Sequence, residues 1–312
     1  MYSIHSKISD FNNMSLKLGR LSLIISFLST LSTVATTQVS DKNPGIFYEV
    51  TKPGLKDTSW LFGTYHLIND SYLKDKSNVQ KALNSSQAVV VEVTMENADM
   101  EMVQSMGMLK DKTLTDMLGQ SFADSLNIEL KNTVGIGVAE MNQAKPINVL
   151  ITLSMVYLMK NNPSIHQYQG MPLDAFFVST AKSSGKEVIS LESIEEQMNI
   201  LFNKMSEEEQ VRQLELFLRN KESMIQMGDD LLKSWFDNDM NKIYAIYEKM
   251  DKITGNTDFL TKDRNDKWMK TIPKLIESKS HFIAVGALHL AGKDGLVNQL
   301  LNDGYTVKPI KL

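Results

Sequence analysis

The chain has 312 residues, 42% of them hydrophobic and 22% charged, which is apolar material for one large globular domain or two small ones. A formal net charge of -4 and a sequence pI near 5.8 give no electrostatic footprint for nucleic acid, and no such partner is expected. The complete lack of cysteine excludes disulfides, thiol nucleophiles, zinc ribbons and iron–sulfur clusters.

Residues 1–37 read as a secretory signal peptide, with Met14 as an alternative start. Lys17 and Arg20 precede an apolar run from Leu21 to Leu31, and small residues follow at Thr33, Ala35 and Thr36. Ser22, Ser26, Ser29 and Thr30 interrupt the run, which is shorter than the ~20 residues of a membrane span. The expectation is an exported protein, periplasmic or extracellular, with retention of the segment as an N-terminal anchor as the alternative. No later stretch is apolar enough to span a membrane, so no stable span is expected once the signal is cleaved.

Residues 38–312 read as one α/β (α+β) domain, a central mixed sheet with strands from both ends of the chain, capped by a helix-rich middle. Helical insertions are expected at about 98–165 and 193–278. Ile46 to Thr51 and Trp60 to Gly63 form strands joined by a turn-rich stretch with Pro53 and Gly54. Asn78 to Asn84 is helical, and Ala88 to Val93 is a buried strand with Glu92 inside it. A carboxylate in such a strand is seldom buried unless it is paired or bound to a metal. The plainer alternative is a Glu at the strand's end, turned to solvent or to a Lys.

Helical periodicity with breaks runs from Asp99 to Lys160, clearest over Thr113 to Leu130, and Pro146 suits the first position of a helix over Ile147 to Met159. The methionines at 95, 100, 102, 106 and 108 read as adaptable packing rather than a soft-metal site. His166 reads as a solvated loop residue. Pro172 to Lys182 is an amphipathic helix leading to the strand Glu187 to Leu191, with Glu192 at its carboxyl end. Ser193 with Glu196, and Ser206 with Glu209, have capping-box spacing and open two further helices. Asp239 to Met250 is helical, and Thr261 to Ser278 is a helix broken or kinked at Pro273 that carries Arg264 and Asn265.

Phe282 to Val285 is an unbroken apolar run, the mark of a strand buried on both faces. Gly286 ends it, His289 follows three residues later, and helical spacing resumes from Asp294. The same local pattern occurs near the other end: Trp60 to Phe62, then Gly63, then His66. Two of the chain's five His residues therefore sit in a G-x-x-H unit just past an apolar strand. Imidazole there suits metal ligation or general base work near neutral pH, and the glycine lets backbone come close to a bound group. His289 lies in the loop beyond its strand, so its removal is expected to leave the strand packed.

These units, with Val89-Val-Val-Glu92, Gly170-x-x-x-Asp174, Leu191-Glu192, Gln197, Arg264-Asn265 and Gly304-Tyr-x-Val307, make the chain resemble the TraB/PrgY/GumN family, related to the Tiki metalloproteases. The motifs keep the family's order and cover the chain after roughly its first forty residues. The resemblance implies a divalent-metal-dependent hydrolase acting on a peptide or protein. His66, His289 and Glu92 would share one pocket and hold the ion, manganese or cobalt by the Tiki likeness, with zinc or iron also suited to the ligand set. Glu92 could instead be the base, Arg264 would stabilise an oxyanion or bind a carboxylate, and Tyr65 and Asn265 would donate hydrogen bonds. Gly63, Gly286, Asp174, Glu192 and Gln197 would support these groups. The alternatives are a protein that captures peptide or haem without turnover, and a helix-rich interaction protein with a relic site. Nothing in the chain sets an oligomeric state.

Overall fold

The apolar runs form the middle of a six-stranded mixed sheet. Residues 45–95, 99–255 and 258–312 are described by the computed structural model, and the signal segment read in residues 1–37 lies outside them. The strands are β1 (Phe47–Thr51), β2 (Ser59–Thr64), β3 (Ala88–Val91), β4 (Glu187–Ser190), β5 (His281–Gly286) and β6 (Thr306–Pro309). Their spatial order is β4-β3-β5-β2-β1-β6. The first four in that order are mutually parallel, while β1 and β6 add an antiparallel pair at one side. All four parallel strands therefore end on the same side, where ligands of open α/β sheets bind.

Every residue of β3 and β5 is buried, as expected for central parallel strands covered on both faces. The β6 strand carries no such signal. It is short, largely exposed and ends in Pro309, which an edge strand tolerates. Phe177, from the helix Leu173–Ser183, packs on the sheet against Phe62 at 5.5 Å and Phe282 at 4.9 Å between ring centroids. That contact seats the helix, and with it Asp174 in its first turn.

Three sequence expectations change in detail. The strand of Glu92 stops at Val91, so Glu92 is the first residue past its end rather than a residue within it. The pattern over Thr113 to Leu130 divides into Leu114–Met117 and Gln120–Thr133, because Leu118 and Gly119 are extended. The break in 261–278 falls between Lys262–Trp268 and Ile272–Ser278. Pro273 thus sits in the first turn of the second helix, where a missing N–H is harmless. Within the helical insertion expected at about 193–278, Lys221–Phe236 is a further helix whose bounds the sequence analysis does not give, although Met227, Leu231, Leu232 and Trp235 mark its buried face.

The described residues form two compact units. One is helical, Met95–Asn161 with Ser193–Ile225, and its core includes Leu114, Leu126, Leu130, Val149, Leu153 and Leu214. The other holds the sheet: residues 45–94, Asn162–Glu192 and Gln226–Leu312. Residues 226–278, read from sequence as helical insertion, thus belong to the sheet unit. Among the described residues no helix is long and apolar enough to cross a membrane.

Asp251, in the last turn of the helix Met240–Thr254, is 5% exposed, and its Oδ1 has no hydrogen-bond partner among the described residues. Burial, then the carboxylates of Asp258 and Glu248, push its pKa up to about 6. Between about pH 4, where an unfolded Asp releases its proton, and that value, the folded chain holds a proton the unfolded chain has lost. Stability therefore falls as pH rises through this window and stays lower above it. Asp251→Asn is expected to raise the melting temperature by a few degrees above about pH 7 and to leave it unchanged near pH 4. Thermal melts at both pH values check this, and an equal gain at both would contradict it.

Candidate functional site

Each parallel strand delivers one ionisable side chain just past its carboxyl end. His66 follows β2, Glu92 follows β3, Glu192 follows β4 and His289 follows β5. The N–H groups of Leu191 and Glu192 both donate to the Glu92 carbonyl, at 3.1 and 3.0 Å, so these two strand ends are held together. Glu92, Glu192 and His289 are all buried, and the His66 side chain is 11% exposed.

Arg264, from the helix Lys262–Trp268, pairs with both glutamates at once. Its Nη2 donates to Glu92 Oε2 at 2.6 Å and also to Glu192 Oε1, while Nε donates to Glu192 Oε2 at 3.2 Å. Nη1 donates to the Leu260 carbonyl at 3.2 Å and to His289 Nε2 at 2.9 Å. The guanidinium carbon lies 4.7 Å from the centre of the Trp268 ring, a cation–π contact that suits a desolvated charge. A planar fork serving several acceptors at once is a task for Arg and not for Lys.

The tautomer of His289 follows from its neighbours. Asn265 Nδ2 donates to the carbonyls of His289, at 3.1 Å, and Asp294, at 2.9 Å. Its Oδ1 is therefore left to accept from His289 Nδ1, 2.7 Å away, so the proton is on Nδ1 and the Nε2 lone pair faces Arg264. Burial, reinforced by the Arg264 charge, pushes this imidazole down to about 3, against the pull of Glu92. His289 is neutral at physiological pH. It is also fully buried in a turn, Ala287–Leu290, with its ring 4.4 Å from Trp268. The loop residue expected from sequence is thus a packed one, because the turn folds back under the helix that carries Arg264, Asn265 and Trp268.

His66 is set differently. Its Nδ1 donates to Asp174 Oδ2 at 2.8 Å, and Asp174 Oδ1 accepts from Thr64 Oγ1 at 2.8 Å. Burial lowers the His66 pKa, but the charge and hydrogen bond of Asp174 and the charge of Glu92 outweigh it and hold the imidazole above its ordinary value. For Glu92 the burial effect, which raises its pKa, loses to Arg264, the two imidazoles and the Gly286 N–H. Its carboxyl is held at about 2.

The two motif glycines serve different ends. A Cβ on Gly286 would stand 3.2 Å from Glu92 Oε1, 3.5 Å from His66 Nε2 and 3.7 Å from His289 Cδ2, and the Gly286 N–H donates to Glu92 Oε1 at 2.7 Å. All three side chains thus border the space beside this one glycine. A Cβ on Gly63 would instead press on Ala287 and Leu290 at 3.0 Å, so Gly63 allows β2 to approach the turn after β5. The Gly63 carbonyl also accepts from Trp235 Nε1 at 2.9 Å. The Tyr65 ring packs against Trp235, with 5.9 Å between centroids, and burial, helped by Asp229, keeps its hydroxyl protonated.

Of the residues singled out from sequence, His66, Glu92, Asp174, Glu192, Arg264, Asn265, Gly286 and His289 come together in the sheet unit. Gln197 is buried in the helical unit. Sequence reasoning passed over the supporting roles of Thr64, Trp235 and Trp268. Thr64 lies inside the Gly63–His66 motif, and Trp268 follows Arg264 by four residues, on the same helix face. Trp235 belongs to the helix Lys221–Phe236, expected only as part of a longer helical insertion.

The donor set suits a divalent cation in its chemistry. Each imidazole directs Nδ1–H at an oxygen acceptor, the arrangement that orients metal-binding histidines. With both imidazoles neutral, Glu92, Glu192 and Asp174 exceed Arg264 by two negative charges, which a divalent cation would balance. In the geometry present, Arg264 engages His289 Nε2, and among the described residues no three His, Asp or Glu side chains are grouped as metal ligands. The TraB/PrgY/gumN family model matches residues 46–309 of the chain. No curated protein and no solved structure matches it.

Proposed function

This chain belongs to the TraB/PrgY/gumN family, and on that premise we propose that it is an exported, divalent-metal-dependent hydrolase acting on peptides. The observation that carries the reading is the convergence of His66 Nε2, Glu92 Oε1 and the His289 ring on the space beside Gly286. His66, His289 and Glu92 would hold the ion, which when bound would supply a Lewis acid that lowers the pKa of water toward neutrality. The chain's own residues do the rest. Asp174 fixes the His66 tautomer, Asn265 fixes that of His289, and Arg264 keeps Glu92 ionised while pairing with Glu192. For His289 to serve as a ligand, Arg264 Nη1 must release its Nε2, retaining Glu92, Glu192 and the Leu260 carbonyl. The basic, apolar and small-residue order of residues 1–37 supports export.

The hydrogen bond from Arg264 to His289 favours a second reading, hydrolysis without a metal. There His66, backed by Asp174, takes a proton from water as a general base of raised pKa. Arg264 would supply the positive charge for a developing oxyanion.

Metal analysis of the purified protein, with peptide-library cleavage read by mass spectrometry before and after chelation, separates these readings. The expected result is a stoichiometric divalent ion and cleavage that chelation abolishes and manganese or cobalt restores. Gly286→Ala, which fills the shared space, is expected to lose both ion and cleavage. Cleavage indifferent to chelation would establish the second reading. Peptide or haem bound without turnover would overturn both in favour of a binding protein.

A further inference from the structure

We infer that Asp70 is a positioning residue: it locks the loop after His66 onto the loop before Asp174 and so sets the pairing of the two. His66 and Asp174 are 108 residues apart in the chain, yet Nδ1 and Oδ2 meet at 2.8 Å. The helix carrying Asp174 is seated by Phe177, but that contact alone leaves the segment before it free to take another register. A short antiparallel clasp removes this freedom. Leu173 N–H donates to the Ile68 carbonyl at 3.0 Å, Asp70 N–H to Met171 at 2.9 Å and Ser71 N–H to Gln169 at 3.2 Å, around a bridge between Asn69 and Pro172.

Asp70 closes the clasp with its side chain. Its Oδ1 accepts from the Met171 N–H at 2.6 Å, a short, charge-assisted bond that answers the backbone bond running the other way between the same two residues. Gly170, immediately before Met171, has φ +103°, a conformation other residues rarely adopt, and a Cβ there would overlap the Asp70 carboxylate. Gly170 therefore does two things: it turns the chain, and it leaves the space the carboxylate fills. The sequence pattern Gly170-x-x-x-Asp174 acquires a physical reason. The glycine admits Asp70, Asp70 fixes Met171, and four residues past the glycine Asp174 arrives at His66.

The consequence for turnover rests on the proposed hydrolase reading, while the effect on His66 does not. The test is therefore made on the imidazole directly, by long-range proton–nitrogen NMR of the purified protein, with the His66 signals identified by their loss in His66→Gln. The wild-type protein is expected to show His66 as a single Nδ1–H tautomer. Asp70→Ala and Gly170→Ala are each expected to give a mixture of tautomers while remaining folded. Both should lower kcat by about 10- to 100-fold, with KM little changed, as for a small misplacement of a catalytic group. Asp70→Asn keeps an acceptor oxygen and should restore the single tautomer. A folded Asp70→Ala with a wild-type His66 spectrum overturns the inference, and if that variant does not fold, the same spectrum in Gly170→Ala or Asp70→Ser does so. A protein without hydrolytic activity leaves the NMR result standing and removes only the proposed function.

Discussion

Replacing His66 by Ala is expected to lower peptide cleavage by about 10²- to 10⁴-fold, the usual contribution of a positioned acid or base, with a shift of only a few degrees in melting temperature. The two effects separate because of where His66 stands. Its strand β2 ends at Thr64, its side chain keeps 11% exposure, and its Nδ1 pairs with Asp174. Asp174 is itself 18% exposed and keeps Thr64, so removing the imidazole leaves no carboxylate both buried and unpaired. His289→Ala is a poorer probe. That ring is fully buried against Trp268, and its loss would open a cavity, leave Asn265 Oδ1 without its imidazole donor and leave Arg264 Nη1 with the Leu260 carbonyl alone. Cleavage kinetics and thermal melts of the two variants, side by side, check the contrast. A His66→Ala protein that cleaves as the wild type would remove His66 from both the metal-dependent and the metal-free reading.

The sequence disclosed what local pattern can carry. Central strands β3 and β5 are apolar at nearly every position, which only a sheet covered on both faces requires, and both were legible. Edge strand β6 packs few of its side chains, so no apolar run announces it. Glu92 stood out because a carboxylate directly after four apolar residues is an anomaly that some partner must resolve. The partner itself was not legible from pattern, since Arg264 lies 172 residues away and nothing periodic links the two. The family motif places Arg264 but does not say what it touches. The burial of His289 was hidden for the same reason: a loop is buried by what folds over it, and local sequence is silent on that. The clasp at Asp70 joins two loops of polar, turn-forming residues, each of which reads alone as surface.

Arg264→Ala is expected to be the most damaging single substitution in the sheet unit, costing about 3–5 kcal/mol, because it strips the cation from two buried carboxylates at once. The sign of the pH dependence should identify this cause. In the wild-type protein the Glu92 pKa is held at about 2, below the value near 4.3 of an unfolded Glu. Its contribution to stability is therefore present above about pH 5 and is lost as pH falls toward 2. Without Arg264 the burial effect on Glu92, which raises its pKa, loses its strongest opponent. With the folded-state pKa then above the unfolded one, stability should fall as pH rises through the acidic range, the reverse of the wild type. Arg264→Lys retains charge but not the fork that reaches Glu92, Glu192, Leu260 and His289 together, so it should rescue little. Adding Glu92→Gln and Glu192→Gln to Arg264→Ala should recover part of the loss, since the orphaned charges are then gone. Urea unfolding of these variants at about pH 4 and about pH 7 measures each step. An Arg264→Ala protein with the wild-type midpoint at both pH values would mean that the glutamates find other compensation, and that Arg264 is free to act on substrate rather than to hold the site together.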